Sequence, residues 1–298
     1  MIRVRVPATS ANIAVGYDCM GLALSEIAQV DFEQIPSGLI IEGCEAPYCN
    51  EDNLIYQAFC KALDYMKKSI TGLKMVVNTN VPYARGMGSS ATCIVAGIAG
   101  ASAMFDNAMT LDEIFQLATQ MEGHPDNIAP AVFGSLCVSI MDEGKAYVTQ
   151  FKVHEDLKLV TLIPDFEVST KEARKVLPTT MSYKDAVYQM GRCVALSTAL
   201  QNGDEAMIAR ACKDRMQQPY RAKLIPQFEH IEALCKKYNM ITMFISGSGS
   251  TMIALCKDES KANALMDEVK ETYPTWDVRL LSCINEGVSV DVWENTTL

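Results

Sequence analysis

Residues 82–92 read PYARGMGSSAT. Two glycines and two serines stand between an apolar run that ends in Pro82 and a long run of small apolar residues. Glycine lets backbone N–H groups come close to a ligand, and a helix N-terminus favours negative charge. One reading is therefore a phosphate cradle, with the N–H groups of Gly86 to Ser90 around a triphosphate and a serine hydroxyl available to Mg²⁺. The other is a glycine-rich turn in which a serine caps the helix. The loop lacks the Lys-Ser/Thr ending of a Walker A loop. The nearest Gly-Lys pair is Gly144-Lys145, and Ala146 follows it.

Other segments carry chemistry-bearing residues. SGSGST (246–251) is a second Gly/Ser turn between two apolar runs, with the character of a hairpin turn. It gains functional weight only if it lies beside the first loop. EGHPDN (122–127) places Glu122, His124, Asp126 and Asn127 in six residues. It lacks a second histidine or paired cysteines at zinc spacing, but a carboxylate here can hold Mg²⁺ together with phosphate oxygens. PATSANIAVGYDCMG (7–21) offers Asn12 and Asp18. STKEAR (169–174) and QQPYR (217–221) each end in an arginine, Arg174 and Arg221. If the two converge, they form a fork for a carboxylate.

The elements that must hold these residues read as follows. IRVRV (2–6) alternates as a strand does, and a polar loop is expected over 7–21. VDFEQI and LIIEG are further strands, 53–68 has helical spacing, and 73–82 is a strand leading into the glycine loop. Residues 89–105 are apolar nearly all round, which marks a helix packed on most sides. Thr110 and Glu113 fit a capping box for a helix to about Glu122. A loop is expected over 122–134, then strands near 135–141, 146–153 and 157–164. Helices follow near 183–201, 204–216, 227–239 and 260–271, with strands near 241–246, 251–256, 277–283 and 288–293. There is no regular βαβ repeat, so the class is α+β.

The net charge of −10 argues against a sequence-independent nucleic-acid binder, though not against a single nucleotide. No apolar run is long enough to span a bilayer, and the N-terminus has no apolar stretch of signal-peptide length. Eleven scattered cysteines, an odd number, fit buried small hydrophobes in a reduced, cytoplasmic protein.

Taken together and in order, these segments resemble the GHMP small-molecule kinases, and among them the homoserine kinases. PYARGMGSSAT resembles their Pro-x-x-x-Gly-Leu-Gly-Ser-Ser-Ala motif. VPATSANIAVGYDCMGLAL, EGHPDNIAPAVFGS, STKEARKVLP and QPYRAKLIP look like homoserine kinase segments, and SGSGST is similar to the third family motif. Three departures stand out: Ile13-Ala14-Val15 for Leu-Gly-Pro, Met87 for Leu and Ser250 for Pro. The resemblance implies an N-terminal domain (1–154) like ribosomal protein S5 domain 2 and a ferredoxin-like C-terminal domain (155–298), with the site between them. It implies ATP, Mg²⁺ and L-homoserine as ligands, O-phospho-L-homoserine as product, a homodimer, and no nucleic-acid or membrane partner. Pro82, Arg85, Gly86, Met87, Gly88, Ser89, Ser90, Ala91, Thr92 and Gly249 would belong to the nucleotide site, with Asn53 and Leu54 at the adenine. Ser90 and Glu122 would hold Mg²⁺. Asn12, Asp18, His124, Asn127, Thr170, Arg174 and Arg221 would bind homoserine, with Asp18, His124 and Asn127 in catalytic positions.

Rival readings follow from the same residues. A sugar acceptor would not need Arg174 and Arg221, and mevalonate has no ammonium for Asp18. A non-catalytic binding protein on the same fold would have no use for both Ser90 and Glu122. A dinucleotide oxidoreductase would need a third glycine where Ala91 stands, within a βαβ unit.

Overall fold

Alternation starts the first strand, and the fold carries it well past the alternating residues. The computed structural model describes residues 1–293. β1 runs from Ile2 to Asn12 and β2 from Gly16 to Gln34, so the expected polar loop over 7–21 shrinks to a turn at 13–15. The reason is partnership: Thr9–Asn12 pair with the first half of β2, which supplies the backbone bonds these polar residues would otherwise seek from water.

β3 (Gly38–Glu42), helix α1 (Leu54–Met66) and β4 (Gly72–Asn78) follow. Asn53 caps α1 by accepting from Ile55 and Tyr56, and Ile55, Phe59, Ala62 and Leu63 give it a buried stripe. α2 (Ser89–Ala103) is buried from Ala91 to Ala103 except at Cys93. α3 (Leu111–Glu122) begins with the expected Thr110–Glu113 capping box. The segment expected as a loop over 122–134 contains a short helix, α4 (Ile128–Phe133). β5 (Leu136–Asp142), β6 (Lys145–Phe151) and β7 (Lys158–Ile163) lead to α5 (Thr170–Lys175), which Ser169 caps. The remaining elements are α6 (Tyr183–Asn202), α7 (Glu205–Ala211), α8 (Gln218–Arg221), α9 (Phe228–Lys237), β8 (Thr242–Ile245), β9 (Met252–Cys256), α10 (Glu259–Thr272), β10 (Asp277–Leu281) and β11 (Ser289–Val292). α7 stops at Ala211, short of the expected 216, because the chain turns there to set α8 against β8.

Two sheets result. The first has the order β11-β1-β2-β4-β3, with β5 and β6 attached to the early part of β2. The second is antiparallel in the order β10-β7-β9-β8, the ferredoxin-like arrangement. The last strand returns to the first sheet, pairing Ile2–Arg5 with Ser289–Val292. One core cluster fills the first lobe around Phe32, Phe59, Ile98 and Phe115. Another joins the lobes, combining Met20, Leu22 and Met87 with Leu159, Phe244 and Ile253. All 11 cysteines are free thiols: four are buried, six are half-buried, and Cys49 is exposed. Among the described residues no helix is long and apolar enough to cross a membrane.

α1 and α2 touch backbone to side chain at Gly97. A Cβ there would come within 2.3 Å of the Ile55 carbonyl oxygen and 2.8 Å of the Ala58 Cβ. Helix propensity favours alanine over glycine by about 0.8–1.0 kcal/mol. Overpacking against a fixed carbonyl costs more, about 1–3 kcal/mol. Gly97→Ala is therefore expected to lower the midpoint of thermal unfolding, followed by circular dichroism. An unchanged or raised midpoint would show that the two helices can separate freely.

Candidate active site

The glycine loop sits at the seam between the lobes. Gly86 and Gly88 take φ values of 79° and 68°, which only glycine adopts without strain. Neither position has room for a side chain. A Cβ on Gly86 would lie 2.2 Å from the Ser246 carbonyl oxygen, and one on Gly88 would lie 1.8 Å from Thr9 Oγ1. Met87 between them is fully buried and roots the loop in the inter-lobe core. Gly88, not a serine, occupies the cap position of α2, and no side chain caps that helix. The helix N-terminus thus keeps its positive end for an anion.

The second Gly/Ser turn joins β8 to β9 as a hairpin and also lies directly against the first loop. Ser246 donates its hydroxyl to the Gly86 carbonyl at 2.6 Å and lies 2.8 Å from Ser10 Oγ, from which it can accept. The Thr251 amide donates to the Arg85 carbonyl at 3.1 Å, and the Gly247 amide to the Ala11 carbonyl at 3.1 Å. Arg85 reaches across the seam, donating to the carbonyls of Pro164 and Asp165 and pairing with Glu167 at 3.2 Å.

Charge gathers on one side of this loop. Arg174 grips Asp18 with both arms, at 2.8 and 3.0 Å, and donates to the Tyr17 hydroxyl at 2.9 Å. Asp18 keeps the Arg174 guanidinium above its usual pKa through that bond. Arg221 converges on the same place, its guanidinium 5.1 Å from the Tyr17 ring centre. It is buried, and desolvation pulls its pKa down. Its Nη1 donates to the Gly247 carbonyl at 2.8 Å and to Gln217 at 3.0 Å. Asn12, expected to face the substrate, lines the cavity and bonds its side chain to the protein. Its Oδ1 accepts from the Asp18 amide at 3.0 Å, and its Nδ2 donates to the Gly247 carbonyl at 2.9 Å. It holds Asp18 in a left-handed conformation, φ 55°.

EGHPDN forms the opposite wall. His124 Nδ1 lies 2.6 Å from Asp126 Oδ1, and that bond raises the histidine pKa above its ordinary value. Asp126 is almost wholly buried. Asn127 accepts from the Thr9 hydroxyl at 2.7 Å. At the mouth, Ser90 donates to Glu122 at 2.6 Å. A hydroxyl and a carboxylate side by side at a phosphate-type loop are the donors a hard divalent cation takes alongside phosphate oxygens.

The cavity enclosed is about 290 Å³. Its lining includes Asn12, Asp18, Arg85, Gly86, Gly88, Ser89, Ser90, Glu122, His124, Asn127, Thr170, Arg174 and Arg221, residues spread over 209 positions of sequence from 12 to 221. Other expected residues do not line it. Asn53 is buried as the α1 cap and Leu54 packs on the first core, so neither lines this cavity. Met87 and Ala91 are core, and Thr92 donates to the Ser89 carbonyl within α2. Gly249 donates to the Ser246 carbonyl inside its turn, and Pro82 leads into the loop without lining the cavity. Sequence reasoning passed over Tyr83, Ser169, Gly247, Ser248 and the role of Asp126, all of which line the cavity. Each lies inside a segment that already stood out. Which members point inward is a matter of local backbone conformation that composition does not carry.

Residues 53–135 match the GHMP kinases N terminal domain, and residues 196–275 match the GHMP kinases C terminal domain. The fold and the paired glycine turns define a small-molecule kinase of that family. Homoserine kinase of Clostridium botulinum (strain ATCC 19397 / Type A) is 41% identical over 293 residues, covering 98% of this chain and 99% of that protein. The crystal structure of homoserine kinase from Cytophaga hutchinsonii superimposes with a TM-score of 0.86 at 26% identity, covering 97% of each chain. The structure of a putative homoserine kinase from Listeria monocytogenes does so with a TM-score of 0.82 at 28% identity, over 98% of this chain and 100% of that one. The chain belongs to the homoserine kinases of the GHMP kinase family.

The His124–Asp126 pair has a defined pH signature. The histidine pKa is raised in the folded protein, so its stabilisation is fully present below the unfolded value near 6.5. It is lost as pH rises through the raised folded value. Asp126→Asn should therefore destabilise the protein more at pH 6 than at pH 9, as read by thermal unfolding at both. An equal loss at the two pH values would mean that the histidine is neutral throughout.

Proposed function

We propose that the chain transfers the γ-phosphoryl group of ATP to the hydroxyl of L-homoserine, giving ADP, O-phospho-L-homoserine and a proton. The observation that carries this reading is the Arg174–Asp18 fork facing the glycine loop within one cavity. A cation and an anion side by side, both about two-thirds buried, match a zwitterion: its ammonium pairs with Asp18 and its carboxylate with Arg174. The nearby Arg221 adds positive charge on the carboxylate side but is held by Gly247 and Gln217.

The backbone N–H groups from Gly86 to Ser90 and the start of α2 would hold the phosphates. Ser90 and Glu122 would hold Mg²⁺, which neutralises phosphate charge when bound. Tyr83 lines the mouth, and its ring lies 5.9 Å from that of Tyr48. This exposed aromatic pair is where a nucleobase would lie. His124 lines the cavity beside the glycine loop, and its bond to Asp126, which raises its pKa, favours a positive ring toward the transferring group. Asn127, positioned by Thr9, would orient the acceptor hydroxyl. No group here is a strong general base, and phosphoryl transfer depends chiefly on positioning and charge neutralisation.

ADP release, measured with Mg·ATP and a panel of L-homoserine, D-homoserine, mevalonate, galactose and shikimate, tests the acceptor. Turnover with L-homoserine alone is expected; a better acceptor in the panel would keep the kinase and overturn the substrate. Arg174→Leu is expected to raise the KM for L-homoserine about 10- to 100-fold and that for ATP by less than about 2-fold. Equal changes in both would place Arg174 in a structural role. Ser90→Ala should lower turnover and raise the Mg²⁺ requirement; unchanged magnesium dependence would remove Ser90 from the cation site.

A further inference from the structure

We infer that Tyr17 is a positioning residue for the acceptor: its hydroxyl keeps Arg174 aimed once an amino acid has drawn Arg174 off Asp18, an inference that rests on the reading of L-homoserine as acceptor given above. Without substrate, Arg174 Nη1 donates to Asp18 Oδ2 at 2.8 Å and to the Tyr17 hydroxyl at 2.9 Å, and Nη2 donates to Asp18 Oδ1 at 3.0 Å. Among the described residues these two are the only hydrogen-bond partners of the Arg174 side chain. A bound zwitterion changes that. Its ammonium takes the Asp18 carboxylate and its own carboxylate takes the guanidinium, so the direct bonds between Arg174 and Asp18 are given up. The bond to Tyr17 is then the one that Arg174 keeps to the protein.

The need for such a hold lies in how Arg174 is carried. It stands in the last turn of α5, a six-residue helix whose one buried residue is Ala173. A long side chain on a short, exposed helix has much rotamer freedom to lose when it binds. Arg221 is the contrast. It is buried and donates to Gln217 and to the carbonyls of Gly247 and Ala173, all in its own lobe. Arg174 is held only from across the seam, by two consecutive residues of β2.

Consecutive strand residues ordinarily point to opposite faces. Here Asp18 takes φ 55°, which breaks the alternation, and Tyr17 and Asp18 both reach Arg174. Burial and the charge of Asp18 raise the phenol pKa, so at neutral pH the hydroxyl keeps its proton and accepts from Arg174 as a neutral group. The ring contributes as well. The Arg174 and Arg221 guanidiniums lie 5.8 and 5.1 Å from its centre, and a cation within about 6 Å of an aromatic face is attracted to it. Two like charges are thereby drawn to one place, where a carboxylate can meet them.

Tyr17→Phe removes the hydroxyl and keeps the ring. The test is ADP release by the full chain with Mg·ATP, varying L-homoserine and then ATP, for wild type, Tyr17→Phe, Arg174→Leu and the double variant. Tyr17→Phe is expected to raise the KM for L-homoserine about 3- to 10-fold, with kcat and the KM for ATP changed by less than about 2-fold. Its thermal midpoint is expected to match wild type. A hydroxyl that acts through Arg174 adds nothing once Arg174 is gone, so in the Arg174→Leu background the same change should alter kcat/KM for L-homoserine by less than about 2-fold. An equal loss in both backgrounds would overturn the inference. So would a parallel rise in both KM values with a lowered midpoint, which is the mark of a structural role. A wild type that does not phosphorylate L-homoserine overturns the acceptor reading and this inference together. A wild type that does, with the homoserine KM unchanged in Tyr17→Phe, leaves that reading standing and overturns this inference alone.

Discussion

The arrangement depends on one close approach: the Gly86 carbonyl held by Ser246 at 2.6 Å, with no room for a side chain on Gly86. The two residues are 160 positions apart, one in each lobe. Because Gly86 both accepts from the Ser246 hydroxyl and packs against the Ser246 carbonyl, the loop cannot shift without parting from the hairpin. Met87 pushes the same loop into the core shared by the lobes, and Arg85 ties it to the carbonyls after β7. A loop made of flexible glycines is thereby held in one shape, and a loop of backbone amides helps binding only if those amides are already in place.

Around that fixed point the charges are arranged in pairs. Arg174 with Asp18, His124 with Asp126, and Ser90 with Glu122 each satisfy one another. Paired in this way, ionised groups can stand in a half-buried cavity without the cost of a lone buried charge. The Arg174–Asp18 pair is also the one whose separation by a zwitterion returns equivalent partners to both members. Asn12 and Arg221 serve this pair from behind, both through the Gly247 carbonyl, so the second Gly/Ser turn supports the Arg174–Asp18 pair as well as the glycine loop.

Much of the architecture was legible along the chain. The capping box at Thr110, the all-round apolar α2 and the two apolar strands either side of SGSGST stand in the structure where their patterns put them. The misreadings have local causes. Polar residues 7–12 look like loop until a neighbouring strand takes up their backbone bonds, and the six-residue run IAPAVF at 128–133 is too short to announce a helix. Asn53 stands out in the sequence only through the family resemblance, and its bonds to Ile55 and Tyr56, which cap α1, appear only in the structure.

Residue types and their order determined the glycine loops, the acid and base residues available, and the family to which they belong, because those depend on local backbone freedom and on chemistry that a side chain carries wherever it lies. The tertiary structure decided which of them meet. That Arg174 and Arg221 converge on Tyr17, that Asn12 faces Gly247, and that the last strand returns to pair with the first are long-range contacts. Such contacts are set by how two lobes pack around a shared core, and no window of sequence contains both sides of that packing.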